Sequence, residues 1–299
     1  MHNYFSLFIF HFLIMASLKE VKRRIVSVEG TKKITVARQM IASALLHKTQ
    51  DTLLKAQIYK GEIDSLYCKV AASVDDNTDH HPHKDEFREK TGVIIISSNS
   101  GMCGPFNMNM IKAAASLAEK YPDEELIYYP IGKKIRETLL HKGFTLGFDE
   151  GANMDYMVEK PSFAKSAEAI RYFSDIFNSG LVNKVIVVCT HYKSAASQEV
   201  KYIPLLPYIV KNNTPNSNFI IEPTPEKVVI ELLERSLRAA FHEIVIDSLT
   251  SEYAARTIAM QLASENANEL LNELHITYNK LRQQNITAEL LDIVGSSFA

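Results

Sequence analysis

The sequence is poor in the residues that usually announce a chemical site. Its three cysteines, Cys68, Cys103 and Cys189, are odd in number and far apart, which argues against a disulfide framework or a zinc site with paired ligands and fits a reducing compartment. Tryptophan is absent, an absence that carries no structural inference. Charge of one sign is lacking as well. A formal net charge of −2 gives no whole-chain reason to expect nucleic acid or an anionic membrane surface, so partners must be argued locally. The apolar run at 1–14 (MHNYFSLFIFHFLI) falls short of the ~20 residues of a membrane span. It also lacks the basic flank and small-residue cleavage site of a secretory signal, and reads as an apolar extension ahead of a working start at Met15. No nucleophile elbow, HExxH or kinase motif set occurs in the chain.

What is present is an ordinary globular composition, 46% hydrophobic and 23% charged over 299 residues, enough chain to bury a sizeable core in one large domain or two smaller ones. Proline is missing from 18–74, where apolar residues return three and four apart through Leu18, Val21, Ile25 and Val28, then Ile34, Ala37, Ile41 and Ala44. This spacing predicts one long amphipathic helix over 15–74, with a bend expected near Gly30 and Thr31. The polar segment 75–90 (DDNTDHHPHKDEFREK) contains Pro82 and reads as a linker. Its His80, His81 and His83 have neither a cysteine nearby nor i, i+4 spacing, so a solvated linker is expected rather than a metal site.

From 91 to 222 the pattern changes to short β-rich runs alternating with helix-like ones, the mark of an α/β domain with a largely parallel sheet. Strands are expected at 93–98, 126–130, 184–190 and 202–206, with 144–148 as a further candidate, and helices at 108–120, 133–141 and 162–177. The Val/Ile run of 184–190 (KVIVVCT) suggests a strand buried on both faces. After Pro223 and Pro225 no proline follows, and three-four spacing resumes through Ile246, Leu249, Tyr253, Arg256, Met260, Ala263, Ala267, Leu270, Leu274, Thr277, Leu281, Gln284, Ala288 and Leu291. An unbroken helix over 226–294 would be about 100 Å long at ~1.5 Å per residue. Its apolar stripe needs cover, and the nearest cover is the helix at the other end of the chain. The expected fold is thus an antiparallel coiled coil of the N- and C-terminal helices with an inserted Rossmann-like α/β domain.

The loop after the first strand, Ser97-Ser98-Asn99-Ser100-Gly101-Met102-Cys103-Gly104-Pro105-Phe106-Asn107, sits where a phosphate-cradling loop would. It lacks both the Rossmann glycine spacing and the lysine and hydroxyl of a P-loop, so a tight turn at Gly101, Cys103 and Gly104 with Cys103 packed inward is expected. Between residues 19 and 60 there are ten Lys or Arg and three Asp or Glu. Without interleaved aromatics, a solvated face or an acidic protein partner fits this excess better than nucleic acid. Two other readings stay open at this point: a Rossmann-like enzyme with helical arms, which should bind nucleotide alone, and a coiled-coil scaffold or nucleic-acid binder, which should associate in a strongly salt-dependent way.

Several stretches resemble the γ subunit of F-type ATP synthases: Met15-Ala16-Ser17-Leu18-Lys19-Glu20-Val21-Lys22-Arg23-Arg24-Ile25 and Thr31-Lys32-Lys33-Ile34-Thr35 at the start, and Gly101-Met102-Cys103-Gly104 with Phe106-Asn107 in the middle. The tail carries the most specific likeness, through Ser251-Glu252-Tyr253-Ala254-Ala255-Arg256, Asn266-Ala267, Tyr278-Asn279-Lys280, Arg282-Gln283, Ile286-Thr287 and Glu289-Leu290. The resemblance implies a central stalk without a catalytic site, cofactor or metal of its own, turning inside three α and three β subunits. Its α/β foot (91–222) would meet the ε subunit and the membrane c-ring, with shaft helices at 15–74 and 223–299. It also implies a peripheral place on the cytoplasmic face of the bacterial plasma membrane, and contact or torque-transfer roles for Lys33, Arg38, Met40, Arg256, Lys280, Arg282, Thr287 and Glu289. Departures from the family pattern include Arg38 in place of a common methionine, Ala288 in place of glutamine, and Asn99-Ser100 in place of an Asp-Arg pair.

Overall fold

A computed structural model describes the backbone of residues 2–72, 90–122, 124–148, 153–210 and 221–297, and side chains between residues 18 and 294 of these. The apolar extension at 1–14 and the polar segment with His80, His81 and His83 lie outside the described side chains. In chain order the elements are α1 (His2–Ala71), β1 (Lys90–Ile96), α2 (Phe106–Lys120), β2 (Glu125–Ile131), α3 (Lys133–His141), α4 (Tyr156–Glu159), α5 (Phe163–Asn178), β3 (Lys184–Ser194), β4 (Ser197–Leu206) and α6 (Pro225–Ser297). They group into two compact units, residues 1–41 with 259–299, and residues 42–258.

The unit 42–258 is built on a four-stranded sheet of order β2-β1-β3-β4. β1 lies parallel to both β2 and β3, and β4 returns antiparallel to β3. Successive residues of β1 point to opposite faces, and both faces are covered. Val93 and Ile95 pack with Met110, Ala114 and Leu117 of α2 and with Ile135 and Leu139 of α3. Ile94 and Ile96 pack on the other face with Ala169, Ile170 and Phe173 of α5 and with Leu237, Phe241, Ile244 and Val245 of α6. This double cover is why β1 and β3 read as continuous apolar runs. α5 starts where the sequence suggests, because Ser162 caps it by accepting a hydrogen bond from the Lys165 N–H at 3.3 Å.

In the same unit α1 and α6 run antiparallel. Lys60 pairs with Glu243 at 3.5 Å, whereas Asp64, one turn further along α1, meets Ser236, which lies earlier in α6. Two sheet expectations need adjustment. The last strand is the second arm of a long β3–β4 hairpin rather than a short closing strand. Its turn at Ala195 and Ala196 lacks a glycine or asparagine signal and is tied instead by Gln198, which donates to the Ala195 carbonyl at 2.9 Å. The segment 144–148 makes a single parallel bridge, Leu146 to Tyr128. Gly147 lies so close under the Tyr129 ring that a Cβ there would approach it to 2.3 Å.

In the unit 1–41 with 259–299 the described residues of both segments are helical, and α1 passes through Gly30 without interruption. The covered seam of α1 is Leu18, Val21, Ile25, Val28, Lys32, Thr35 and Gln39, a regular three-four alternation. On α6 it is Met260, Ser264, Ala267, Leu271, Leu274, Tyr278, Leu281, Asn285 and Ala288. The expected switch to Ile34, Ala37, Ile41 and Ala44 does not occur: Ile34 is 58% and Ile41 61% exposed, while the polar Thr35 is buried. Likewise Leu270, Thr277, Gln284 and Leu291 of the expected α6 stripe are exposed. The physical reason is that the heptad continues in phase through Gly30, so that Lys32, Thr35 and Gln39 inherit seam positions. Thr35 makes this tolerable by donating its hydroxyl to the Lys32 carbonyl at 2.8 Å.

Candidate functional site

In an open α/β sheet the ligand crevice lies beyond the carboxyl ends of the strands, where the chain order reverses. In this sheet that point is between β1 and β3. The loop 97–107 leaves β1 here through two left-handed residues, Met102 at φ 62° and Gly104 at φ 56°. Asn107 holds the loop from within, accepting from the Ser98 N–H at 3.2 Å and donating to the Cys103 sulfur at 3.2 Å. Cys103 is buried against Phe106 and Ala255, whereas Gly101 and Gly104 are exposed. The cysteine of this turn faces inward. Met102, not a glycine, takes one of the turn's positive-φ positions.

The crevice is occupied by α6 itself. Ser251 donates to the Thr190 carbonyl at 3.0 Å. The carboxylate of Asp247 accepts from the Tyr192 N–H at 2.9 Å and from His191 Nδ1 at 2.6 Å. Arg256 donates to the Ser100 hydroxyl at 3.0 Å and pairs with Glu252 at 2.7 Å. The Arg256 and Glu252 side chains are only 10% and 7% exposed. Burial raises the Glu252 pKa above its usual 4.5, opposed by the Arg256 guanidinium. Behind them the Cys189 thiol is pushed up to about 12, first by burial and then by the nearby Asp247 charge. Such a thiol is inert rather than nucleophilic.

A neighbouring cavity of about 610 Å³ is lined by Lys60, Asp64, His191, Tyr208, Glu243 and Asp247 among others. The polar side chains named are already engaged: Lys60 with Asp64 and Glu243, His191 with Asp247, and Tyr208 with Ser236 at 2.9 Å. Nothing in these arrangements aims a free donor cluster at a phosphate or a base at a nucleophile.

The remaining residues singled out in the sequence lie elsewhere. Lys33, Arg38 and Met40 are exposed on α1, and Lys280, Arg282, Thr287 and Glu289 are exposed on α6. Lys33 and Met40 border a groove of about 720 Å³ whose other wall is Asn268, Leu271, Asn272 and His275. Arg256 stands apart from this group because it is buried and partnered within its own chain. The residues not singled out as sites are Asp247, Glu252 and Ser100. The four-residue spacing of Glu252 and Arg256 was the one available signal for an ion pair. Its burial was not visible in the sequence.

Beyond its buried seam, the two-helix unit displays a second set of apolar side chains. Val26, Ile34, Met40 and Ile41 on α1, and Leu262, Ile276, Leu290 and Ile293 on α6, are all more than half exposed. A paired helical unit that already has a core and still presents this much apolar surface, together with an α/β unit whose crevice is filled by its own helix, defines a subunit built to sit inside a larger assembly.

The comparison with known proteins agrees. The family described as ATP synthase matches residues 17–299. The chain is 36% identical over 295 residues to an ATP synthase gamma chain of Bacteroides fragilis, covering 95% of this chain and 100% of that one. It is 33% identical over 298 residues to an ATP synthase gamma chain of Cytophaga hutchinsonii, covering 95% and 99%. Its fold resembles a chain in the mitochondrial ATP synthase of Euglena gracilis (OSCP/F1/c-ring) with a TM-score of 0.62 at 19% identity, over 95% of this chain and 94% of that one. A chain of the Tetrahymena thermophila mitochondrial ATP synthase central stalk and c-ring matches with a TM-score of 0.51 over 77% of this chain and 99% of that one. The chain belongs to the ATP synthase gamma-chain family.

Proposed function

We propose that this chain is the rotating central stalk of a proton-translocating F-type ATP synthase. In this reading its terminal segments, 15–74 and 223–299, form the shaft within a ring of three α and three β subunits. Residues 91–222 form the foot that meets the ε subunit and the c-ring, joined to the shaft through 75–90. The complex places it peripherally on the cytoplasmic face of the bacterial plasma membrane. ATP is made and hydrolysed on the β subunits, and this chain supplies the asymmetry that makes the three β sites differ, through contacts that favour one conformation over another. The same coupling gives it a hand in regulating ATPase activity.

The observation that carries this reading is the outward apolar set on both helices of a unit whose seam is already covered, flanked by the exposed cations Lys33 and Arg38. An acidic, partly apolar inner surface is the complementary partner. In this reading Lys33, Arg38, Met40, Lys280, Arg282, Thr287 and Glu289, all exposed, are the side chains that meet it.

The test is co-expression with the α, β and ε subunits of the same source, with and without this chain. An active ATPase with one copy of the chain per ring, assembled only in its presence, is the expected result. A chain that stays outside the complex, or hydrolyses nucleotide alone, would overturn the reading.

A further inference from the structure

The rotor reading requires the α/β unit to turn with α6 and not around it. Most of the cover between them is apolar, through Leu237, Phe241, Ile244 and Val245. Apolar packing holds a helix against a sheet but is non-directional. Along this stretch Ser236 bonds the Tyr208 hydroxyl at 2.9 Å and His242 Nδ1 bonds the Ser166 hydroxyl at 2.9 Å, and a denser group of directional contacts lies further along α6. Asp247, Ser251 and Ala255, spaced four apart, form one face that meets Tyr192, Thr190 and Cys103 in turn. Arg256 flanks that face and reaches Ser100 in the loop that follows β1. It is held by Glu252 one turn back and lies over the Tyr253 ring at 5.9 Å. A turn of α6 by a single residue, about 100°, would break all of these hydrogen bonds together.

We propose that Arg256, oriented by Glu252 and seated on Ser100, is a torsional lock that fixes the rotational register of α6 against the carboxyl end of β1. It transmits torque inside the chain as a positioning residue. This rests on the rotor reading and assigns Arg256 an internal task rather than a contact with the surrounding ring. The planar guanidinium suits it, because its fork engages a carboxylate and a hydroxyl at once in a fixed geometry that a lysine does not reproduce.

The test uses the assembled complex in sealed vesicles, measuring ATP hydrolysis and ATP-driven proton uptake in the same preparation. Glu252→Gln with Arg256→Gln removes the lock without leaving one buried charge unpaired. Hydrolysis near the wild-type rate with several-fold less proton uptake per ATP is expected, and an unchanged ratio overturns the proposal. Ser100→Ala, on an exposed residue, removes the shorter of the two Arg256 contacts there, the hydroxyl at 3.0 Å but not the carbonyl at 3.4 Å. If the double variant does not assemble, a lowered ratio in Ser100→Ala supports the lock and an unchanged ratio overturns it. Ala255→Cys, added to the double variant, stands against the native Cys103 across the same contact. Diamide oxidation to the disulfide should restore the ratio and reduction should abolish it again. A disulfide confirmed by mass that leaves the ratio low also overturns the proposal. Failure of the rotor reading itself is distinguishable, since the wild-type chain would then confer no coupled activity at all.

Discussion

Gly132 stands where β2 turns into α3, and replacing it by alanine should unfold the α/β unit far more readily than any ordinary glycine substitution. Its φ is +117°, and an added Cβ would lie 2.4 Å from the Ser97 carbonyl oxygen, 2.7 Å from the carbonyl carbon and 2.8 Å from the Ser97 hydroxyl. None of these can retreat cheaply. The Ser97 N–H donates to the Ile131 carbonyl at 2.8 Å, and the Ser97 hydroxyl accepts from the Ile135 N–H at 3.2 Å. The backbone conformation costs an L-residue about 1–3 kcal/mol, and forcing atoms into a packed position costs about 1–3 kcal/mol more. Gly132→Ala should therefore lose about 4 kcal/mol. Gly143 is the control, because its φ is +73° but nothing lies within 4 Å of an added Cβ. Gly143→Ala should cost about 1–2 kcal/mol from the left-handed backbone alone. Pulse proteolysis in urea, or amide exchange of β1 and β2, measures both. If the two variants fall within about 1 kcal/mol of each other, the smallest cost expected for forcing atoms into a packed position, the close approach at Ser97 is not what constrains Gly132.

Arg256→Met leaves Glu252 buried without its cation and should cost about 3–5 kcal/mol, whereas Glu252→Gln with Arg256→Met should come close to wild type in urea unfolding. Because burial raises the Glu252 pKa, its favourable contribution is present below 4.5 and is lost as pH rises through the raised value. Arg256→Met should therefore be less destabilising at pH 5 than at pH 8 in the same assay. On α1, Ile25→Ala removes a buried seam side chain and should cost about 2–3 kcal/mol of the 2–5 typical of such truncations. Ile34→Ala on the exposed side should change the isolated chain by less than about 0.5 kcal/mol; equal losses by exchange protection of α6 would refute the seam. All three cysteines are buried, so a thiol reagent at pH 8 should label the native chain slowly and the urea-unfolded chain three times over, and rapid native labelling of Cys189 would contradict its raised pKa.

Much of this architecture was legible before any coordinates. Proline-free stretches at both ends, the helical pattern of 162–177 and the apolar run of β3 each carry a local physical cause that survives folding. The seam was legible only in part. Up to Val28 the apolar residues occupy the covered positions, but beyond Gly30 the strongest hydrophobes, Ile34 and Ile41, belong to the outer surface while Lys32, Thr35 and Gln39 keep the heptad. A chain that must satisfy its own partner helix and present a second apolar surface carries two overlapping patterns, and a single stripe cannot separate them. The hairpin was obscured because side chains replace the usual turn residues. The lock at Arg256 depends on Ser100, 156 positions away, a distance that no local pattern encodes.

A rotating shaft turns visibly when its ring is held still. With the α and β subunits fixed to a surface and a bead attached to the foot through a cysteine introduced at the exposed Ser197, added ATP should drive one-directional turning of the bead, pausing at three equally spaced angles. A bead that stays still while the same molecules hydrolyse ATP would show that this chain is not the shaft.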